Sequence, residues 1–147
     1  EKERNIFAQE IEKIVKKNKD SGAEAALYMI HAYVEPHEDT NPQMINNIKQ
    51  MYIDAGNKND ALVIPVGIAF EKAYKAQKNI QLHKHYDGTH PNILGTYLAS
   101  CVVFASITHL SPLNIQYSYY DKISKEDKEF LQNIAKETVE DFYNIDL

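Results

Sequence analysis

The stretch His85-Tyr86-Asp87-Gly88-Thr89-His90-Pro91, continuing as Asn92-Ile93-Leu94-Gly95-Thr96-Tyr97-Leu98-Ala99-Ser100, decides how this chain is read. It sets a carboxylate and an imidazole three residues apart at the mouth of a helix. An Asp-x-x-His step can hold the histidine in one tautomer and aim its second nitrogen at a nucleophile. In acyl transfer, His90 would take the proton of a serine hydroxyl and later return it to the leaving alcohol, while Asp87 accepts from the far ring nitrogen. Gly88 is expected to let the loop turn tightly. Pro91 is expected to fix the backbone after the histidine and start the helix, and Gly95 to mark a close approach of that helix to a neighbouring backbone.

The nucleophile itself is missing. No Gly-Asp-Ser and no Gly-x-Ser-x-Gly occurs in the sequence. Ser21, Ser100, Ser106, Ser111, Ser118 and Ser124 read as caps, turns or helix-packing residues, because none follows a strand in a sharp glycine-flanked turn.

Working outward, the chain alternates helical and strand-like patterns. From about Asn5 to Lys19, Phe7, Ile11, Ile14 and Val15 recur at helical spacing, and Gly22 follows as a stop. Ala25 to Tyr33 has the apolar, lysine-free character of a buried strand. Asn41-Pro42 reads as an N-cap and first-turn proline for a helix that buries Met44, Ile45, Ile48, Met51 and Tyr52 and ends near Gly56. Ala61 to Val66 is the next strand, and Ile68 to Ala76 a short helix. A histidine-rich loop runs from Gln77 to Thr89, and the helix opened by Pro91 reaches about Ile107. After a tyrosine-rich loop from Ser111-Pro112 (Tyr117, Tyr119, Tyr120), a last amphipathic helix is capped by Ser124 with Asp127 at its third position. Phe130, Leu131, Ile134, Val139 and Phe142 face inward.

The order strand, helix, strand implies parallel pairing. Two parallel strands alone make a poor sheet, since each needs cover on both faces and each exposes an edge. Further strands are therefore expected elsewhere. No internal repeat or linker divides residues 1–147, which read as a single domain.

Bulk properties narrow the function classes. The 147 residues are 44% hydrophobic and 25% charged, ordinary for a globular chain with one core. A net charge of −5 argues against a nucleic-acid surface, which would need a clustered basic face. Arg4 is the only arginine, which disfavours a carboxylate or phosphate substrate that a bidentate clamp would hold. Cys101, the single cysteine, can form no internal disulfide and reads as a buried, inert thiol. No apolar run is long enough for a membrane span, and no signal peptide is recognisable. A chain that opens on Glu1 is expected to be a processed or trimmed product, with any export signal lost with the missing part.

Asp87-Gly88-Thr89-His90-Pro91, followed by Gly95-Thr96-Tyr97-Leu98-Ala99, resembles the last signature block of the SGNH (GDSL-type) esterases and lipases. Ala25-Ala26-Leu27-Tyr28-Met29-Ile30 resembles the family's fourth strand, and Leu62-Val63-Ile64-Pro65-Val66-Gly67-Ile68-Ala69 its fifth strand and following turn. The match runs in the right order over roughly residues 1 to 145. The family's Gly-Asp-Ser nucleophile block and its Gly and Gly-x-Asn-Asp oxyanion blocks have no counterpart here. The Asn59-Asp60 of Gly56-Asn57-Lys58-Asn59-Asp60 falls at the wrong place in the order and reads as a helix-to-strand turn.

The resemblance implies a flavodoxin-like three-layer α/β/α parallel sheet, of which this chain supplies the last two strands and their helices. It implies a carboxylic ester hydrolase working through an acyl-serine, with His90 as general base and Asp87 as its orienting carboxylate. It also implies small O-acyl esters of carbohydrates as substrates, and neither metal nor organic cofactor. A missing amino-terminal segment or a second copy of the chain is the expected partner, and the 147 residues alone are expected to be inactive. His31 and Tyr33, near the carboxyl edge of the first strand, could line the pocket or sit as satisfied core residues. The tyrosines could stack a sugar or merely pin a loop.

Two rival readings remain. His83-Lys84-His85-Tyr86-Asp87 has a His-x-His-x-Asp spacing that suits zinc, with His90 as a further ligand. On an extended segment His83 and His85 would project to one side. Against it, Gly88 stands where a metallo-β-lactamase-type pattern wants a histidine, and His90 comes two positions late. The other reading is a non-catalytic fragment or binding module.

Overall fold

The computed structural model describes residues 2–147. It is a mixed α/β fold, mostly helical, around a small two-stranded parallel sheet. The order is α1 (Lys2–Asp20), β1 (Ala26–Tyr28), α2 (Met44–Asn59), β2 (Leu62–Ile64), α3 (Val66–Ala76), α4 (Ile93–Thr108), a 3₁₀ turn at Pro112–Asn114 and α5 (Lys125–Tyr143). The strands pair in register, with Ala26 opposite Leu62, Leu27 opposite Val63 and Tyr28 opposite Ile64. Both are shorter than their apolar runs predict. With two strands present, the chain leaves the ladder after one more bond, Met29 N–H to the Ile64 carbonyl at 3.0 Å. Among the described residues no helix is long and apolar enough to cross a membrane.

Two apolar clusters meet at β2. Val63 joins Val15, Leu27, Met29, Ile48, Tyr52 and Ala55, while Ile64 joins the larger cluster built by α3, α4 and α5. This is the period-2 alternation of a strand with helices on either side. In α1 the inward stripe is Phe7, Ile11 and Val15; Ile14 turns outward and is 53% exposed. The stripe follows the i, i+4 spacing, so Ile14 lies one step off it.

Several helix ends differ from expectation. Helix α2 starts at Met44 after Gln43, which makes no side-chain cap. Asn41 instead accepts the Gln43 N–H at 2.9 Å in a turn one step earlier. The same helix does not stop at Gly56. It runs to Asn59 and ends on a left-handed Asp60. Gly56 is there for contact: a Cβ on it would lie 2.3 Å from the Val63 side chain. Helix α3 begins at Val66, two residues before the expected start, with Pro65 as its cap position. Pro91 lies outside α4, whose N-cap is Asn92; its side chain accepts from Leu94 N–H and Gly95 N–H. A carboxamide that can reach two free amides outcompetes proline as the start signal.

Gly95 behaves as its position predicts. A Cβ there would lie 2.2 Å from the Leu82 carbonyl oxygen, so the α4 backbone sits directly on the preceding loop. At the far end, Ser124 caps α5 by accepting the Asp127 N–H at 3.0 Å. One buried polar residue ties these helices together. Gln132 is 2% exposed and donates to the Tyr97 hydroxyl at 2.9 Å and the Ile115 carbonyl at 2.8 Å. Gln132→Leu is expected to lower the unfolding free energy by about 1–3 kcal/mol, because the Ile115 carbonyl loses its donor inside the protein. Urea titration checks this, and a loss below about 0.5 kcal/mol, the range of neutral surface changes, would refute it.

Candidate active site

The relay residues sit on a loop closed at its neck. His83 and Pro91 form an antiparallel bridge. Lys84 N–H donates to the His90 carbonyl at 2.7 Å, and Asn92 N–H to the Leu82 carbonyl at 2.8 Å. Asn92 also donates its side-chain amide to the Gln81 carbonyl at 2.7 Å. At the tip, Gly88 adopts φ +65°, and its carbonyl accepts the Val34 N–H at 2.9 Å. The loop is therefore anchored both to α4 and to the segment that follows β1.

Asp87 is the organising group. Its Oδ1 accepts the N–H of Thr89 at 2.8 Å and of His90 at 2.9 Å, and its Oδ2 lies 3.0 Å from His90 Nδ1. The backbone N–H of His90, then that of Thr89, pulls the Asp87 carboxyl down to a pKa of about 2. An ionised carboxylate only accepts, so Nδ1 of His90 carries the proton and donates. That leaves Nε2 with its lone pair. It has no hydrogen-bond partner among the described residues, and the His90 side chain is 70% exposed. A fixed tautomer with an open acceptor nitrogen is the geometry of a general base.

The four residues of the zinc reading are not gathered. His83 is buried at 4% exposure with both ring nitrogens engaged: Nδ1 lies 2.6 Å from the Tyr74 hydroxyl and Nε2 2.8 Å from His31 Nδ1. His85 is exposed beside Tyr86. Among the described residues no group of three or more histidine, cysteine, aspartate or glutamate side chains could hold a metal. The bridge to Pro91 places His83 inward, where the alternation expected of an extended segment stops at the turn of Asp87 and Gly88 back to Lys84.

His31 is partly buried, stacked on Phe70 with ring centroids 4.5 Å apart and bonded to His83. Tyr33 lines a cleft of about 300 Å³ with Glu35, Thr40, Phe70, Tyr74 and His83. On the other flank of the relay loop, a groove of about 710 Å³ runs from Lys84 and Pro91 along Thr96 and Cys101 to Tyr117 and Tyr119. Tyr117, Tyr119 and Tyr120 pack on one another edge to face, and Tyr119, Tyr120 and Asp121 are all left-handed. Burial pushes the Cys101 thiol up to about 11, so it remains an unreactive wall of that groove.

Sequence reasoning missed Tyr74 and the pairing of His31 with His83. The histidine partners are 52 residues apart in the chain, and no local pattern announces them. The pairing makes a prediction. Burial, with His31 beside it, lowers the His83 pKa from 6.5 to about 4. Burial lowers that of His31 as well. Below pH 6.5 the unfolded chain takes up protons that the folded chain refuses, so stability falls as pH drops from 6.5 toward 4. The stabilising effect of Asp87, with its depressed pKa, persists through this window and is lost only from 3.8 toward about 2. Urea midpoints at successive pH values should decline through the first window. A flat profile there would contradict buried neutral imidazoles.

No family model matches the chain, and no curated protein does. Among solved structures, the crystal structure of a DUF4886 family protein from Bacteroides uniformis ATCC 8492 is similar, with a TM-score of 0.72 at 21% identity. The match covers 85% of this chain and 51% of that one, so the chain spans about half of that protein's length. At this identity the likeness concerns the fold alone.

Proposed function

We propose that this chain carries the general-base half of a serine-type ester hydrolase of SGNH type, with His90 as base and Asp87 as its orienting carboxylate. The observation that carries the reading is the clamped carboxylate: two backbone N–H groups on Oδ1 and the His90 ring on Oδ2, with Nε2 left open. A capping aspartate would need the first two contacts but not the third. The nucleophile and oxyanion donors lie outside these 147 residues, in an amino-terminal segment or a partner polypeptide. The parallel pair β1 and β2 then forms the end of a larger flavodoxin-like sheet, and the half-length match to a similar fold supports that placement. Small O-acyl esters of carbohydrates are the proposed substrates, the class that the family resemblance implies.

The test is intact-mass spectrometry of the complete protein after treatment with a fluorophosphonate, which tags activated serines. A tag outside residues 1–147, lost in His90→Ala and indifferent to a chelator, is the expected result. A tag on a serine of this chain would overturn the placement of the nucleophile. No tag on the complete protein would overturn the hydrolase reading.

A further inference from the structure

The two edges of the small sheet are not alike. Leu62 N–H donates to the Ala25 carbonyl at 3.1 Å and Met29 N–H to the Ile64 carbonyl at 3.0 Å, so the peptide groups of Leu62 and Ile64 face β1. Those of Val63 then face outward. The outward carbonyl is taken: the hydroxyl of Tyr143, the last residue of α5, donates to it at 2.8 Å. On β1 the outward groups are the N–H and C=O of Ala26 and Tyr28. They have no hydrogen-bond partner among the described residues.

The two faces of β1 differ as well. Leu27 and Met29 are buried with side chains of α1 and α2. On the opposite face Tyr28 is 41% exposed and Ile30 44%. Ile64, the register partner of Tyr28, is only 4% exposed and packs with α3, α4 and α5. Cover therefore stops between one strand and the next, in a type of sheet that is ordinarily buried on both sides.

The hand of the connections picks a direction. Helix α2 carries the crossover from β1 to β2 on the face of Leu27 and Val63. Helix α1 lies on that same face: Phe7 packs on Tyr52 of α2 with ring centroids 5.1 Å apart, and Val15 shares the cluster of Leu27. Crossovers between parallel strands keep one hand. A strand running into α1 must then stand on the far side of β1 from β2, the side whose peptide groups are free.

We propose that β1 is an interior strand of the complete protein's sheet and β2 its terminal one. The strand that leads into α1 adds parallel along Ala26–Tyr28, and a helix of the same amino-terminal part lies over Tyr28 and Ile30. The matched span is 51% of the similar solved chain, which leaves that fold room for both elements. A second copy of this chain fits less well. Joined edge to edge about a twofold axis, it pairs the strands but keeps α3, α4 and α5 over its own β2 and leaves Tyr28 of each copy bare. The surface is argued from the sheet alone and does not depend on ester chemistry; the hydrolase reading needs a further part without saying where it docks.

NMR of the complete protein tests it. Cross-strand nuclear Overhauser contacts of the Ala26 and Tyr28 amides should run to the segment that precedes α1. The Tyr28 amide should exchange with solvent within about tenfold of the rate of Leu27, whose amide is already in the ladder. Tyr28→Lys should lower the urea midpoint well beyond the effect of Tyr120→Lys, made at a tyrosine 80% exposed. Contacts to another strand from Val63 in place of Tyr28 would overturn the proposal, as would a freely exchanging Tyr28 amide. Contacts from Tyr28 to a second copy, seen in a mixed-label sample, would overturn the occupant, and equal effects of the two lysine variants would overturn the covering helix. Fluorophosphonate labelling stands apart: a complete protein that takes no tag sinks the hydrolase reading and leaves the strand contacts as they are.

Discussion

Gly88→Ala should destabilise the protein by about 2–4 kcal/mol and dismantle the relay loop. Two costs coincide at this position. The backbone is left-handed at φ +65°, and a Cβ would lie 1.9 Å from the Val34 carbonyl oxygen. That carbonyl belongs to the segment whose Val34 N–H bonds back to the Gly88 carbonyl, so neither strand of the contact can retreat without breaking the other bond. Gly22→Ala isolates the first cost. Gly22 has φ +78° and nothing within 4 Å of its would-be Cβ, so it should lose only about 1 kcal/mol. The two variants, compared by urea unfolding, differ by the clash alone. Equal losses would mean that the loop tip gives way freely and that its anchoring to Val34 is weak.

On the proposed reading, Asp87→Asn should reduce ester turnover of the complete protein by about 10⁴ while leaving it folded. The asparagine oxygen can still accept the Thr89 and His90 N–H groups that Oδ1 takes now. Its NH₂ then faces His90 Nδ1, which must become an acceptor. The His90 proton moves to Nε2, and the base is gone although every atom of the imidazole remains. Steady-state kinetics on a short acetyl ester, with circular dichroism as the folding control, checks this. A loss under about tenfold would show that Asp87 only caps the turn. Because its pKa lies near 2, Asp87 stays ionised across the working range and cannot set the acidic limb of a pH–rate profile.

What could be read from the sequence was local. Ser124 with Asp127, and Asp87 with His90, work through contacts within three residues, and those spacings are written in the chain. Gly95 was legible because glycine inside an apolar helix needs a reason, and close approach to Leu82 supplies it. Pro91 misled because a second start signal, Asn92, stood beside it and only geometry chooses between them, and Asn41 misled because it caps a turn one step before α2 rather than the helix itself. Gly56 resembled a stop, yet it answers to Val63 across the sheet contact. The imidazole chain was illegible for the same reason. His31 and His83 meet only once β1 and the relay loop have been brought together, and Tyr74 joins them from α3.

The clasp at the neck of the relay loop has a consequence for assembly. Its backbone bonds at Lys84 and Asn92, with the Asn92 side chain reaching Gln81, close the loop that carries Asp87 and His90 from within this chain. Fixing a flexible residue's backbone costs about 1–2 kcal/mol, and for this loop folding has already absorbed that cost. On the proposed reading, a nucleophile-bearing partner would therefore meet the base already in place, much as a ligand meets a rigid receptor. Its binding affinity would reflect the strand edge and apolar surface it covers, undiminished by the ordering of the catalytic loop.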